Sequence, residues 1–108
     1  MQHITPRQLA DRLAAGAQTA QPLLLDVREP WEQALCQLAG STLIPMNQVP
    51  SRLSALDAGS DVVVICHHGV RSMQVAMLLE HHGFGSVYNL TGGVDAWAHE
   101  VDPAMTQY

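Results

Sequence analysis

The feature that most constrains the fold is a run of β-branched residues, Val62-Val63-Val64-Ile65, ending at Cys66. An unbroken apolar run with no polar alternation predicts a strand buried on both faces. After it come His67-His68-Gly69-Val70-Arg71-Ser72 and then Met73-Gln74-Val75-Ala76-Met77-Leu78-Leu79-Glu80, a stretch rich in helix formers. Strand, cysteine, tight polar loop and helix, in that order, place Cys66 at the carboxyl end of a parallel strand and the amino end of a helix. Open α/β sheets bind their ligands at that edge.

The loop has specific physics. Backbone N–H groups from His67 to Ser72 lack intrahelical partners and can converge on one point. Gly69 admits a positive φ without a Cβ clash. The helix dipole contributes about 0.3–1 kcal/mol to an exposed anion. Arg71 adds a full charge on a planar fork suited to oxyanions. These terms favour the thiolate of Cys66 and an anionic substrate beside it. Cys66 is therefore the expected catalytic residue, with His67, His68, Gly69, Val70, Arg71 and Ser72 binding the substrate.

Composition narrows the partners. A chain of 108 residues, 47% hydrophobic, is one domain with enough apolar mass for a core without disulfides. Its two cysteines stand far apart, which suits reduced thiols in the cytoplasm. No apolar run approaches the roughly twenty residues of a membrane helix, and no basic-then-apolar leader opens the chain. With a formal charge of −5 and only five Lys+Arg, it cannot build a basic stripe, so nucleic acid is excluded as a partner. A monomer is the default expectation.

The rest of the chain alternates strands and helices. Around Gln2 to Ile4 a short strand is expected. Thr5-Pro6-Arg7-Gln8 then gives a helix start, with Thr5 as cap, Pro6 in the first turn and Gln8 closing a capping box. Ile4 and Leu9 are spaced to staple that cap, and Gly16 is the stop. Residues 17–22 read as loop. Leu23 to Arg28 reads as a buried strand with a polar tip, ended by Glu29-Pro30. Pro30 to Leu35 gives one or two helical turns, Thr42 to Ile44 a short strand, and Pro50 to Leu56 a helix with Val49, Leu53 and Leu56 inward. The helix after Cys66 ends at His81-His82-Gly83. Val87 to Leu90 is the fifth strand, and Gly92-Gly93 opens a last helix that ends before Pro103. Residues 102–108 read as a loose tail. Such alternation implies a parallel sheet covered on both faces.

Several of these pieces together resemble a known family. They are Asp26-Val27-Arg28-Glu29-Pro30, Gly40-Ser41 before Ile44-Pro45, the Cys66-to-Arg71 loop, and Gly92-Gly93-Val94-Asp95-Ala96-Trp97. In this order they look like a single-domain rhodanese, and the likeness covers nearly the whole chain. It implies a three-layer α/β fold with a five-stranded, mostly parallel sheet. It also implies a sulfurtransferase whose cysteine, here Cys66, takes sulfane sulfur from thiosulfate or a similar anionic donor and holds it as a persulfide. A thiophilic acceptor then removes it, either cyanide or a thiol, including a protein thiol. The family implies no metal and no organic cofactor. One departure stands out. The family's Gly-His-Ile-Pro-Gly run is replaced here by Cys36-Gln37-Leu38-Ala39-Gly40, which removes the histidine and adds a thiol.

Other residues carry alternatives. Cys36 is either a small core residue or a partner for Cys66. His67 and His68 either tune the thiolate or simply fill loop positions. Zinc binding by Cys66, His67 and His68 is disfavoured, since adjacent residues point apart and a fourth ligand is lacking. Asp26 and Arg28 either support the loop from the neighbouring strand tip or form a surface pair. Trp31 walls the pocket or packs in the core, Trp97 is core, and His81 and His82 complement a helix carboxyl end. Cys-x4-Arg-Ser also resembles a phosphatase or arsenate reductase loop, but the six positions from Cys66 to Arg71 match the shorter sulfurtransferase loop. A persulfide carrier with little turnover on free thiosulfate is the remaining alternative.

Overall fold

The computed structural model describes residues 1–16 and 20–108, so part of the loop expected over 17–22, residues 17–19, lies outside it. Strands β1 (Gln2–Ile4), β2 (Leu23–Asp26), β3 (Thr42–Leu43), β4 (Val62–Ile65) and β5 (Val87–Leu90) alternate with helices α1 (Pro6–Ala14), α2 (Pro30–Leu35), α3 (Val49–Arg52), α4 (Val70–His81) and α5 (Gly93–Glu100). The strands form one five-stranded sheet in the order β1-β5-β4-β2-β3, every pairing parallel. This is the expected three-layer α/β architecture.

β4 lies at the centre because its side chains suit burial on both faces. Val62 and Val64 enter a cluster with Val75, Ala76 and Leu79 of α4 and with Val49. Val63 and Ile65 enter a second cluster with Leu9 of α1 and with Val94 and Trp97 of α5. A period of two along the strand thus divides one sequence run between two cores. Cys66 belongs to the α4 side.

Local chemistry fixes the ends. α1 starts on a complete capping box: Thr5 Oγ1 accepts from the Gln8 N–H at 3.1 Å, and Gln8 Oε1 accepts from the Thr5 N–H at 2.9 Å. α4 stops where Gly83 takes φ +92° just past its cap. Three elements differ from expectation. β2 ends at Asp26 rather than Arg28, because the Asp26 carboxylate accepts from the Arg28 backbone N–H at 3.1 Å and turns the chain. The helix expected over Pro50 to Leu56 is broken, with 3-10 turns on both sides of the four-residue α3. β3 stops at Leu43, one residue short of the expected end. No helix among the described residues is long and apolar enough to cross a membrane.

Registers set the working edge. Asp26 pairs with Ile65 and Asn89 with Val64, so the carboxyl ends of β2, β4 and β5 finish level. Residues 102–108, expected to trail loosely, have no regular secondary structure but fold back onto this edge, where Tyr108 stacks on His67.

Candidate active site

The loop from Cys66 to Ser72 wraps the sulfur. The Gly69 N–H donates to Cys66 Sγ at 3.0 Å, and Ser72 Oγ lies 3.2 Å from the same atom. Gly69 adopts φ +102°, which a side chain resists. The N–H groups of His67, His68, Val70, Arg71 and Ser72 make no hydrogen bond among the described residues, and the first helical bond of α4 runs from Met73 to the Gly69 carbonyl. Those donors remain available to an anion at the helix start. Cys66 itself is only 1% exposed.

The opening turn of α5 fastens the loop from the other side. Val94 and Asp95 N–H groups donate to the carbonyls of Cys66 and His67 at 2.9 and 3.0 Å. Gly93, at φ +60°, permits this approach, because a Cβ there would overlap the Cys66 carbonyl oxygen.

Hydrogen-bond directions can be followed from Asn89. Its Nδ2 donates to the Gly69 carbonyl at 3.2 Å, so its Oδ1 faces Ser72 and accepts that hydroxyl's proton. The Ser72 oxygen therefore presents a lone pair to Cys66, whose S–H donates to it. A hydroxyl rotates freely enough to change partners. Once the thiol proton leaves, Ser72 can turn its own proton from Asn89 to the sulfur.

Arg71 is not the free cation the sequence suggested. Both of its terminal nitrogens donate to Glu32, each at 2.7 Å, in a bidentate fork. Glu32 is almost fully buried, and each of its oxygens has a second donor. The Tyr108 hydroxyl reaches Oε1 at 3.0 Å, and the Glu29 N–H reaches Oε2 at 2.8 Å. The Arg71 hydrogen bonds, aided by the Glu29 and Tyr108 donors and opposed by burial, hold the Glu32 carboxyl down to about 2. The same pairing raises the Arg71 guanidinium above its ordinary value.

Asp26 and Arg28 are not an exposed pair; they are 1% and 0% exposed. Neither hydrogen-bonds residues 66–72. Arg28 instead ties the edge together, donating to Asp26 at 2.7 Å, to the carbonyls of Cys36 and Glu32 at 2.6 and 3.3 Å, and to the Tyr108 hydroxyl at 3.0 Å. Burial works against its charge, but these acceptors outweigh it and raise its pKa. Support for the loop passes through Glu32 and Arg71. Cys36 is half-buried at the end of α2, with a nitrogen of Arg28 3.7 Å from its sulfur.

Three rings stack together at the loop. His67 stacks on Tyr108 with centroids 3.7 Å apart and on His68 at 3.9 Å. Burial and the neighbouring His68 lower the His67 pKa. Burial raises the Tyr108 phenol to about 12. Among the described residues, the side chains that cluster with metal-ligating atoms are His67, His68 and Asp95, within 4.8 Å of one another; Cys66 is not among them. Trp31 stands exposed and meets Tyr108 edge-on at 6.0 Å, whereas Trp97 is core.

Sequence reasoning missed Glu32, Asn89 and Tyr108. Glu32 had a local signal, a carboxylate three residues after Glu29 in a helix start. Asn89 had another, a strand-averse amide in an apolar strand. Tyr108 had none.

A nucleophile in an amide-lined loop, on a central parallel strand, defines a class of loop-cysteine α/β domains. The chain belongs to the rhodanese-like domain family, whose profile matches residues 5–100. It is 38% identical over 102 residues to a sulfurtransferase of Allochromatium vinosum, covering 94% of this chain and 92% of that protein. It is 35% identical over 105 residues to the thiosulfate sulfurtransferase GlpE of Pseudomonas paraeruginosa, covering 97% and 90%. A chloroplastic rhodanese-like/PpiC domain-containing protein of Arabidopsis thaliana is 44% identical over 89 residues, but the chain spans only 30% of its length. Among solved structures, a rhodanese-like domain protein from Staphylococcus aureus superposes with a TM-score of 0.83 at 29% identity, covering 100% of this chain and 99% of that one.

Proposed function

We infer that this protein, a sulfurtransferase like its full-length relatives, moves sulfane sulfur from thiosulfate or a similar donor to a thiophilic acceptor through a persulfide on Cys66. The observation that carries this reading is the sulfur of Cys66, 3.0 Å from the Gly69 N–H, in a loop whose other N–H groups have no hydrogen-bond partner among the described residues. The Cys66 thiolate attacks the outer sulfur of thiosulfate, and the S–S bond to the sulfonate breaks as in thiol–disulfide exchange. Sulfite leaves with the electron pair. Charge grows on the departing oxyanion and on the persulfide, and the unpartnered loop amides are the donors that would stabilise it. The Ser72 hydroxyl, freed from Asn89, follows the charge on sulfur. Acceptor attack on the outer sulfur then returns Cys66 to the thiolate. The cysteine must be reduced to attack the donor, a state that a reducing compartment such as the cytoplasm maintains.

The deciding assay is steady-state turnover with thiosulfate and cyanide. Many cycles of thiocyanate formation, matched by sulfite release, are expected. A stable persulfide with almost no turnover favours a carrier, and absence of sulfite release overturns the reading.

A further inference from the structure

Five large apolar side chains stand exposed among the described residues, namely Trp31 and Leu35 on α2 and Val70, Met73 and Met77 on α4. They are not scattered. The first two are spaced i, i+4 and the other three i, i+3, i+7, so each set lies along one helix face. The first turns of these helices are joined by the Arg71–Glu32 fork. Trp31 adjoins Glu32 in sequence and Val70 adjoins Arg71, so both stripes begin at the rim of the sulfur loop. Trp31 also meets Tyr108, which covers His67. Single exposed apolar residues are ordinary, but their confinement to the two helices framing one reactive atom marks an interaction surface.

The charges beside this surface indicate what it takes. A small anionic acceptor gains little from the rim, because Glu32 neutralises Arg71 and the exposed carboxylate of Glu29 stands two residues from Trp31. The chain as a whole carries a formal charge of −5. A cysteine on an apolar segment with basic flanks satisfies both features: its side chains cover the stripes and its cations face Glu29. We propose that the exposed faces of α2 and α4 dock a partner protein whose cysteine, carried on such a segment, accepts the sulfur held by Cys66. The proposal rests on the function inferred above and names its acceptor.

The step balances without an added oxidant or reductant. The partner's thiolate attacks the outer sulfur of Cys66–S–SH, and a new S–S bond forms as the bond to Cys66 Sγ breaks. The partner leaves as R–S–SH, the proton staying on the outer sulfur, and Cys66 keeps the electron pair as its thiolate. Five side chains make a small contact, which suits a transient encounter.

The test is single-turnover discharge of sulfur-loaded protein by three synthetic cysteine peptides, followed by intact mass. One peptide is apolar with lysine flanks, one is apolar with glutamate flanks, and one is serine-rich. The lysine-flanked apolar peptide is expected to discharge Cys66 about tenfold faster than the serine-rich one, with the glutamate-flanked peptide between them. In a Leu35→Ser/Met73→Ser/Met77→Ser variant that advantage is expected to vanish while discharge by cyanide is unchanged. Equal rates for all peptides, or an advantage that survives in the variant, overturn the docking proposal. Should the variant fold poorly, Met77→Ser alone must lower the advantage, and an unaltered ratio counts against the proposal. A protein that never acquires the sulfur overturns the inferred function and this acceptor with it; one that loads normally but discriminates among no peptides overturns the acceptor alone.

Discussion

Arg28 and Arg71 each pair with a carboxylate at the same edge of the sheet, and the two pairs are built differently. Arg28 is fully buried and its donors are spread over Asp26, two backbone carbonyls and the Tyr108 hydroxyl. The Arg71 side chain is 35% exposed, and among the described residues its hydrogen bonds go to Glu32 alone. The first pair is a tie among β2, α2 and the end of the chain. The second is a cancelled charge beside the reactive sulfur, open to solvent on one side. A buried ion pair fixes geometry because removing one partner strands the other. A half-exposed pair adjusts the field that a substrate meets.

The largest effect expected from breaking this contrast is on stability. Arg28→Met leaves Asp26 charged or unpaired in the interior and should lower the unfolding free energy by about 3–5 kcal/mol. Urea unfolding measures it, and a loss below about 1 kcal/mol would make Arg28 no more than a surface-type pair.

Arg71 and Glu32 should move donor binding in opposite directions. Arg71→Ala exposes the loop to an uncompensated Glu32 carboxylate, so kcat/KM for thiosulfate should fall about tenfold, a loss of about 1.4 kcal/mol. Glu32→Gln leaves Arg71 unopposed and should lower the thiosulfate KM several-fold, with the gain fading at high salt. Changes of the same sign in both variants would remove the pair from the donor's field.

A pH series sharpens the same pair. The Glu32 carboxyl is lowered from 4.5 to about 2, so its contribution to stability is complete above the ordinary value and is lost as pH falls toward about 2. The stability difference between wild type and Glu32→Gln should shrink across that interval. A difference independent of pH would mean the carboxylate charge is not what stabilises. The smallest effect belongs to Tyr108→Phe, which deletes one hydroxyl bridging Arg28 and Glu32. It should cost about 1 kcal/mol in thermal or urea unfolding, and no change would leave that bridge without energetic weight.

The backbone was legible where local chemistry decides it. Val62 to Ile65 could only be a doubly buried strand, and Thr5-Pro6-Arg7-Gln8 wrote its helix start in the side chains that form the cap. Cys66, Gly69 and the amides of the loop followed from that strand and the helix beyond it. The partners of charges were not legible. Arg71 meets Glu32 across 39 positions, and Arg28 meets Tyr108 across 80. Nothing in a local pattern encodes such a meeting; the order of strands in the sheet does. Arg71 therefore looked free and residues 102–108 looked loose, and both impressions yielded to tertiary packing. The helix near Pro50 failed for a different reason. Its few inward residues could be satisfied by short turns as well as by one continuous helix.

The central claim is that Cys66 carries the transferred sulfur. Intact and peptide mass after thiosulfate treatment tests it most directly. The wild type should gain one sulfur atom, located on the peptide containing Cys66, and Cys66→Ser should gain none although Cys36 remains. A gain that persists in Cys66→Ser, or a wild type that stays unmodified while thiosulfate is present, would contradict the account.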